Sequence, residues 1–316
     1  MLAFIARRFF YLAIVLFVLS VVVFSIIYLI PGDPAVALLG DNATPEMLEK
    51  LRREMGLNRP VIGQYLTWMS QVLRGDLGES YAMKEPVLEV ILERLPPTLS
   101  IAVIAEIIAI GIAVPLGVFA ASRPGTASDR AARGFTLFGM TVPSFLLGLF
   151  LMLLFAVRLK WFPVSGYKPL NAGLWAHLRH LVLPAGALGL IQSALLARIT
   201  RSAMLEVLNE SYVRTARAKG AREAKVIYWH ALRNALMPII TVVGTSFGAL
   251  VAGAVVVESI FNIPGLGHLL VSSVQRRDYA LIQGTVLFVA FMTVIINLLV
   301  DLLYAVVDPR VRLNRL

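Results

Sequence analysis

The chain has 316 residues, of which 58% are hydrophobic and 15% charged; it carries 29 basic against 19 acidic residues and no cysteine. A soluble domain is about 45–50% apolar and about 25% charged, so an ordinary water-soluble globule is excluded, and the same hydrophobicity excludes intrinsic disorder. Without cysteine there is no disulfide, thiolate zinc site or cysteine nucleophile.

A hydrocarbon core of ~30 Å needs about 20 apolar residues in helical form. Six stretches qualify: 9–30, 98–121, 134–157, 181–199, 236–257 and 282–307. They predict an all-α polytopic membrane fold with six transmembrane helices. The fourth stretch is the weakest, with Pro184 and Gln192 inside it. Before the first, Arg7 and Arg8 resemble the charged start of a signal peptide, and Ala35-Val36-Ala37 resembles a cleavage site. The apolar run is longer than the ~7–15 residues of a signal core, which predicts a retained helix.

Segment 31–97 follows. Pro31-Gly32-Asp33-Pro34 ends the first span, because proline removes a donor and restricts its predecessor. Thr44-Pro45-Glu46 reads as N-cap, first helical residue and acidic first turn. Leu48, Leu51 and Met55 then share a face, and Gly56 stops the helix. From Pro86, residues Leu88, Ile91, Leu92 and Leu95 form a second apolar stripe. These helices are expected to lie on the membrane surface or to pack as a small cap.

With the N-terminus in the cytoplasm, six spans return the C-terminus there. Segments 1–8, 122–133, 198–235 and 308–316 are then cytoplasmic, and they hold 16 basic residues against 13 in the longer exterior segments. That asymmetry is the positive-inside pattern. The net charge of +10 therefore reads as topology rather than as nucleic-acid binding.

Chemical motifs are sparse. No GxxxxGK[ST] is present, so any ATP that drives this chain is bound by another polypeptide. Gly244-Thr245-Ser246-Phe247-Gly248 spells a hydrolase-like GxSxG, but within an apolar span, where the same glycines read as a GxxxG packing face. His177, His180, His230 and His268 show no metal-binding spacing and read as surface residues. Glu106, Glu258 and Asp301 lie in or at the ends of spans, with Asn297 one turn from Asp301. Helix–helix hydrogen bonding, lining of a substrate path and proton coupling are the three readings of these acids.

The most informative segment is 198–235, with eight basic residues. A helix continues out of the membrane through Arg198, Arg201, Met204, Leu205 and Leu208. Ser211 then caps a short helix that Gly220 ends in the left-handed conformation. Its small residues at 215, 216 and 218 permit close docking, and basic residues at 214, 217 and 219 suit an acidic partner or lipid headgroups. A second helix runs from about Arg222 through Ala235. The pattern fits either an amphipathic helix on anionic lipid or a lever gripped by a cytoplasmic partner.

Residues 212–238, YVRTARAKGAREAKVIYWHALRNALMP, resemble the coupling-helix signature of binding-protein-dependent ABC importer permeases. More narrowly, the chain resembles the first permease of dipeptide/oligopeptide transporters. PGDPA (31–35), GLNRPVIGQYLTWMSQVLRGDLGES (56–80), RLPPTLSIA (94–102), TVPSFLLGLFLMLLF (141–155), FNIPGLGHLLVSSVQRRDYALIQG (261–284) and NLLVDLLYAVVDPRVRL (297–313) carry the resemblance in order.

The resemblance implies a type I ABC importer permease-like fold. It also implies a heterodimer with a sister permease, two cytoplasmic ATPase subunits, and an extracytoplasmic binding protein that delivers substrate. This chain then needs no cofactor, and ATP and Mg are bound by the partner subunits. The implied coupling residues are Tyr212, Arg214, Thr215, Ala216, Arg217, Ala218, Lys219 and Gly220. Where the wider class often has Glu-Ala-Ala, this chain has Arg214-Thr215-Ala216, a departure that dipeptide-type members share. Ser144, Gln192, Ser193 and Asn297 are candidates for the translocation path.

The implied organisation is a cytoplasmic N-terminus and first helix (1–30), an extracytoplasmic cap (31–97) and a five-helix core (98–316) with the coupling loop. The implied location is the cytoplasmic membrane. Dipeptides and oligopeptides are the implied substrates, with nickel complexes, glutathione or another small solute as alternatives. From another class, a stand-alone secondary transporter or channel, or a Ser246 hydrolase, would each need features of its own.

Overall fold

The structure, a computed structural model, describes residues 2–29, 35–36, 44–54 and 56–307. Its helices are α1 (Leu2–Leu29), α2 (Pro45–Glu54), α3 (Val61–Val72), α4 (Val87–Ser122), α5 (Ala127–Thr141), α6 (Ser144–Leu151), α7 (Leu174–Leu208), α8 (Ser211–Ala218), α9 (Leu232–Phe261), α10 (Leu266–Gln275) and α11 (Tyr279–Val307). A π-helical stretch, Met152–Arg158, extends α6, and another, Val226–Ala231, leads into α9. Among the described residues the only β pairing is an isolated bridge between Glu79 and Pro86. Among the described residues the fold is all-α, as the apolar stretches predict.

Four helical runs are long and apolar enough to cross a membrane: α4, α7, Glu223–Phe261 and Tyr279–Val300 of α11. A bent pair, α5 with α6 and its extension, makes a fifth, and α1 contributes the shorter apolar segment Phe10–Ser25. The third expected span is thus not one straight helix, since its halves meet at 104°. Pro143 is the cause. It disfavours helical geometry in the residue before it, and Val142 is extended (φ −82°, ψ 123°). The Pro143 carbonyl then accepts the first N–H groups of the new helix, from Leu146 and Leu147.

The chain divides into two compact units, Met1–Pro96 with Pro264–Ile295, and Pro97–Ile263 with Ile296–Leu316. In the first unit, α2 begins as expected, with the Met47 N–H donating to Thr44 Oγ1 at 3.3 Å. It ends at Gly56 (φ +68°), where the Leu57 N–H returns to the Arg52 carbonyl at 2.9 Å. The expected amphipathic stretch from Pro86 is not a separate helix. It is the start of α4, which passes through Pro96 and Pro97. Val87, Val90 and Ile91 of that start pack with Leu266, Leu269 and Leu281.

Asp278 organises the same unit. Its buried carboxylate caps α11 through the Leu281 N–H at 3.2 Å and accepts from the Ser80 hydroxyl at 2.7 Å and the Ala82 N–H at 3.0 Å. One side chain therefore starts a helix and holds a loop some 200 positions earlier in the chain.

In the second unit α7 is the hub, and small residues let its neighbours approach. A Cβ on Gly117 of α4 would lie 2.6 Å from Thr200, and one on Gly139 of α5 would lie 2.6 Å from Ala194. A Cβ on Gly189 of α7 itself would meet the Ala105 carbonyl oxygen at 2.6 Å. Gly244 of α9 packs directly on the Val300 side chain of α11. Residues 244–248 lie mid-helix in α9, so GxSxG here is a packing face and has no strand-to-helix elbow.

Candidate functional site: the loop between α7 and α9

Helix α7 extends well past its apolar stretch, to Leu208, and α8 follows at once. The expected cap is corrected by one residue. Glu210 is the N-cap, in extended geometry, and its carbonyl takes the Val213 and Arg214 N–H groups at 3.1 and 3.2 Å. Ser211 is the first helical residue, and its carbonyl accepts the Thr215 hydroxyl at 2.9 Å.

The other end is as the sequence predicts. Gly220 has φ +78°, the Gly220 N–H donates to Arg217 O at 2.9 Å, and the Ala221 N–H donates to Ala216 O at 3.2 Å. Nothing lies within 4 Å of where a Gly220 side chain would begin. Within this chain, then, backbone conformation rather than crowding requires the glycine.

Val213 is the one buried residue of α8. It enters the apolar cluster of Met204, Leu208, Val226, Ala231 and Ala235. Arg214, Thr215, Arg217, Ala218, Lys219 and Gly220 are exposed, as is Tyr212, and Ala216 is half-buried. Two side-chain links support this mount. The Tyr212 hydroxyl bonds the Asn234 side chain, while partial burial lifts its pKa above the ordinary tyrosine value. Arg217 reaches forward to Glu223, with Nη2 to Oε1 at 2.7 Å and Nε to Oε2 at 3.2 Å. That hydrogen-bonded guanidinium holds the Glu223 carboxyl below the usual carboxylate range.

The expected second helix from Arg222 is interrupted. After Glu223–Lys225 the chain is π-helical through Val226–Ala231, and α9 proper starts at Leu232. Tyr228 and Trp229 stand exposed on this stretch, and the Arg233 guanidinium lies over the Trp229 ring at 5.8 Å. Periodicity alone carries no signal for a π turn. Val213 did carry one, as the lone aliphatic residue in SYVRTARA.

Next to the loop, Asp129 is 1% exposed and forms a fork with Arg201, Nε to Oδ1 at 2.6 Å and Nη2 to Oδ2 at 3.1 Å. The Gly125 N–H also donates to it, at 3.0 Å. The pair fastens the first turn of α5 to the extension of α7, a link the sequence reading missed across 72 positions.

The four path candidates are not joined to one another by any hydrogen bond among the described residues. Ser144 is half-buried at the start of α6, and Asn297 is exposed on α11. Ser193 is fully buried and donates to the Leu190 carbonyl at 2.6 Å. Gln192 is half-buried, but its Nε2 is shut away from solvent and has no hydrogen-bond partner among the described residues.

Of the acids, Glu258 accepts from Thr98, and Glu106 from Ser246 at 3.3 Å, both between α4 and α9. The side chain of Asp301 lies outside the described residues. His177 is corrected from surface to interior. It is 5% exposed, bonded through Nδ1 to the Lys168 carbonyl at 2.7 Å and set edge-on to Tyr167. No cluster of three metal-binding side chains occurs among the described residues.

Residues 113–313 match the family described as binding-protein-dependent transport system inner membrane component, and residues 1–102 match the N-terminal part of such membrane components. The chain is 41% identical over 336 residues to a dipeptide transport system permease protein of Escherichia coli, covering 99% of each. It is 42% identical over 309 residues to a probable peptide ABC transporter permease protein of Sinorhizobium fredii, covering 98% of this chain and 99% of that one. A chain of the inward-facing MetNI methionine ABC transporter superposes with a TM-score of 0.59 at 18% identity, over 72% of this chain and 100% of that one. That likeness concerns the fold.

Proposed function

The chain belongs to the binding-protein-dependent transport system inner membrane component family, and from that premise we propose that it is the membrane-spanning permease subunit of an ATP-driven importer of dipeptides and oligopeptides. It is a multi-pass inner-membrane protein and a translocating subunit rather than an enzyme. A sister permease completes the path, two ABC ATPases supply the energy, and an extracytoplasmic binding protein delivers the peptide. The observation that carries the reading is end-to-end similarity to a dipeptide permease, over 99% of both chains.

In this reading α8 is the coupling helix. ATP-driven closure of the ATPases pushes on its exposed face, from Tyr212 to Gly220, and Val213 passes the displacement to α7 and α9. Six spans, with α1 as the first and the bent pair as the third, place both termini in the cytoplasm, and residues 31–97 form the exterior cap. Ser144, Gln192, Ser193 and Asn297 are the proposed path residues in the core 98–316. The orphan amide of Gln192 supports that assignment best, because a buried donor without a partner costs free energy that a passing peptide carbonyl would offset.

The test is reconstitution. The purified complex should take up labelled dipeptide only with ATP, both ATPases and the binding protein present. Uptake driven by an ion gradient without the ATPases would overturn the reading in favour of a secondary transporter.

A further inference from the structure

Arg133 of α5 and Arg198 and Arg201 of α7 line a cavity of ≈ 220 Å³, together with Gly117, Ala197 and Leu137. Gly117 lets α4 and α7 close together behind the cavity, since a Cβ there would strike Thr200. The charges do not balance. Asp129 is the carboxylate paired with this group among the described residues, and Arg201 holds it through Nε and Nη2. Arg133 reaches the same carboxylate at only 3.4 Å, with 52% of its side chain exposed. Arg198 is exposed and in no ion pair among the described residues. Three guanidinium groups against one carboxylate leave the cavity with an excess of positive charge.

Beside that charge the wall is greasy. Leu137 and Phe138 are 69% and 65% exposed. Arginines above an exposed apolar helix face, in a chain that spans a bilayer, match an amphiphile with an anionic head. A free phosphate would use the arginines and leave the apolar wall bare.

We propose that this cavity binds an anionic phospholipid, its phosphate held by Arg133 and Arg198 and its acyl chains lying along Leu137 and Phe138. Arg201 positions the site and stays on Asp129. The lipid braces the junction of α5 and α7 from which the loop to α9 departs. The inference stands on this geometry and does not depend on which solute is transported.

The complex purified in mild detergent should retain phosphatidylglycerol in native mass spectrometry. After delipidation, adding phosphatidylglycerol should raise its melting temperature, whereas phosphatidylcholine and inorganic phosphate should not. Each basic residue near an anionic lipid surface is worth roughly fivefold in binding, so Arg133→Gln with Arg198→Gln should weaken retention by about 25-fold. Arg59→Gln, at an exposed arginine elsewhere, should not. If the double variant fails to assemble, Leu137→Glu keeps the arginines and should also expel the lipid. Equal retention in all variants, equal retention of phosphatidylcholine, or the same stabilisation by inorganic phosphate would overturn the proposal. Retention by the isolated chain but not by the assembled complex would put the sister subunit over the cavity and overturn it as well.

Discussion

The Ser246 hydroxyl of α9 lies 3.3 Å from both carboxylate oxygens of Glu106 on α4, while it also donates to the Val243 carbonyl at 2.9 Å. Glu106 is 6% exposed and Ser246 likewise buried, so this is a polar clasp between two spans. Interhelical hydrogen bonds of this kind are worth about 0.6–1.7 kcal/mol. Ser246→Ala should cost about that much in thermal stability and leave ATP-dependent uptake intact. Glu106→Gln should leave both stability and uptake nearly unchanged, because the amide oxygen still accepts. Loss of uptake in Glu106→Gln, with the complex assembled, would instead mark the carboxylate as part of transport.

Gly244 and Val300 make a size-matched pair. A methyl group on Gly244 overlaps the Val300 side chain, and overpacking costs typically about 1–3 kcal/mol. Gly244→Ala should lower the melting temperature, and Val300→Ala added to it should restore most of the loss. If the two changes are additive in a double-mutant cycle, the pair is not in contact and the packing of α9 on α11 is wrong.

Gly220 should be replaceable by asparagine but not by valine. The position demands a left-handed backbone, which costs an ordinary L-residue about 1–2 kcal/mol and asparagine less, and space around it is open. Gly220→Asn should retain both ATPases on copurification, while Gly220→Val should unravel the end of α8 and uncouple ATP hydrolysis from uptake. Ala216→Glu, on the half-buried face of α8, should weaken ATPase retention without changing the fold. Unaltered retention and coupled uptake in both Gly220→Val and Ala216→Glu would remove α8 from the coupling role.

The Arg217–Glu223 pair gives a pH dependence with a defined sign. Glu223 titrates below its ordinary value because Arg217 hydrogen-bonds its charged form. The stabilisation is therefore fully present above the unfolded glutamate value of about 4.3 and fades as pH falls through the lowered folded value. Both side chains are substantially exposed, which limits the effect to about 0–1 kcal/mol. Thermal stability of wild type and Glu223→Gln should differ by the same small amount at pH 6 and pH 8 and converge in acid. A difference that grows on raising the pH from 6 to 8 would contradict the pairing.

Features set by neighbours in sequence were legible, and those set by distant partners were not. Gly220 could be read because a left-handed helix end is a local preference, and Thr44 because an N-cap needs only its own turn. Ser211 misled for the same local reason. Serine is a preferred N-cap and glutamate is not, yet Glu210 takes the position, with no side-chain cap bond. The break at Val142 was half legible: a proline inside a span, as at Pro143, permits a kink, but nothing local fixes a bend of 104°. The Asp129–Arg201 fork and the burial of His177 need three dimensions. In hindsight, a lone aspartate among Arg123, Arg130 and Arg133 is a signal that it is paired.

The bend between α5 and α6 has a consequence for the solvent around it. Each half of the pair has 15 residues, about 22 Å of helix at 1.5 Å per residue, which is less than the ~30 Å of a hydrocarbon core. If the pair is one span, it crosses only as a whole, with its non-helical joint at Val142 inside the bilayer's thickness. At that joint the Leu137 and Phe138 carbonyls accept the Thr141 hydroxyl, and Phe138 also the Val142 N–H, whereas the first N–H groups of α6 lie outside the helical ladder. Lipid tails offer them nothing to bond. The start of α6 then needs water or a polar protein surface within the membrane's thickness.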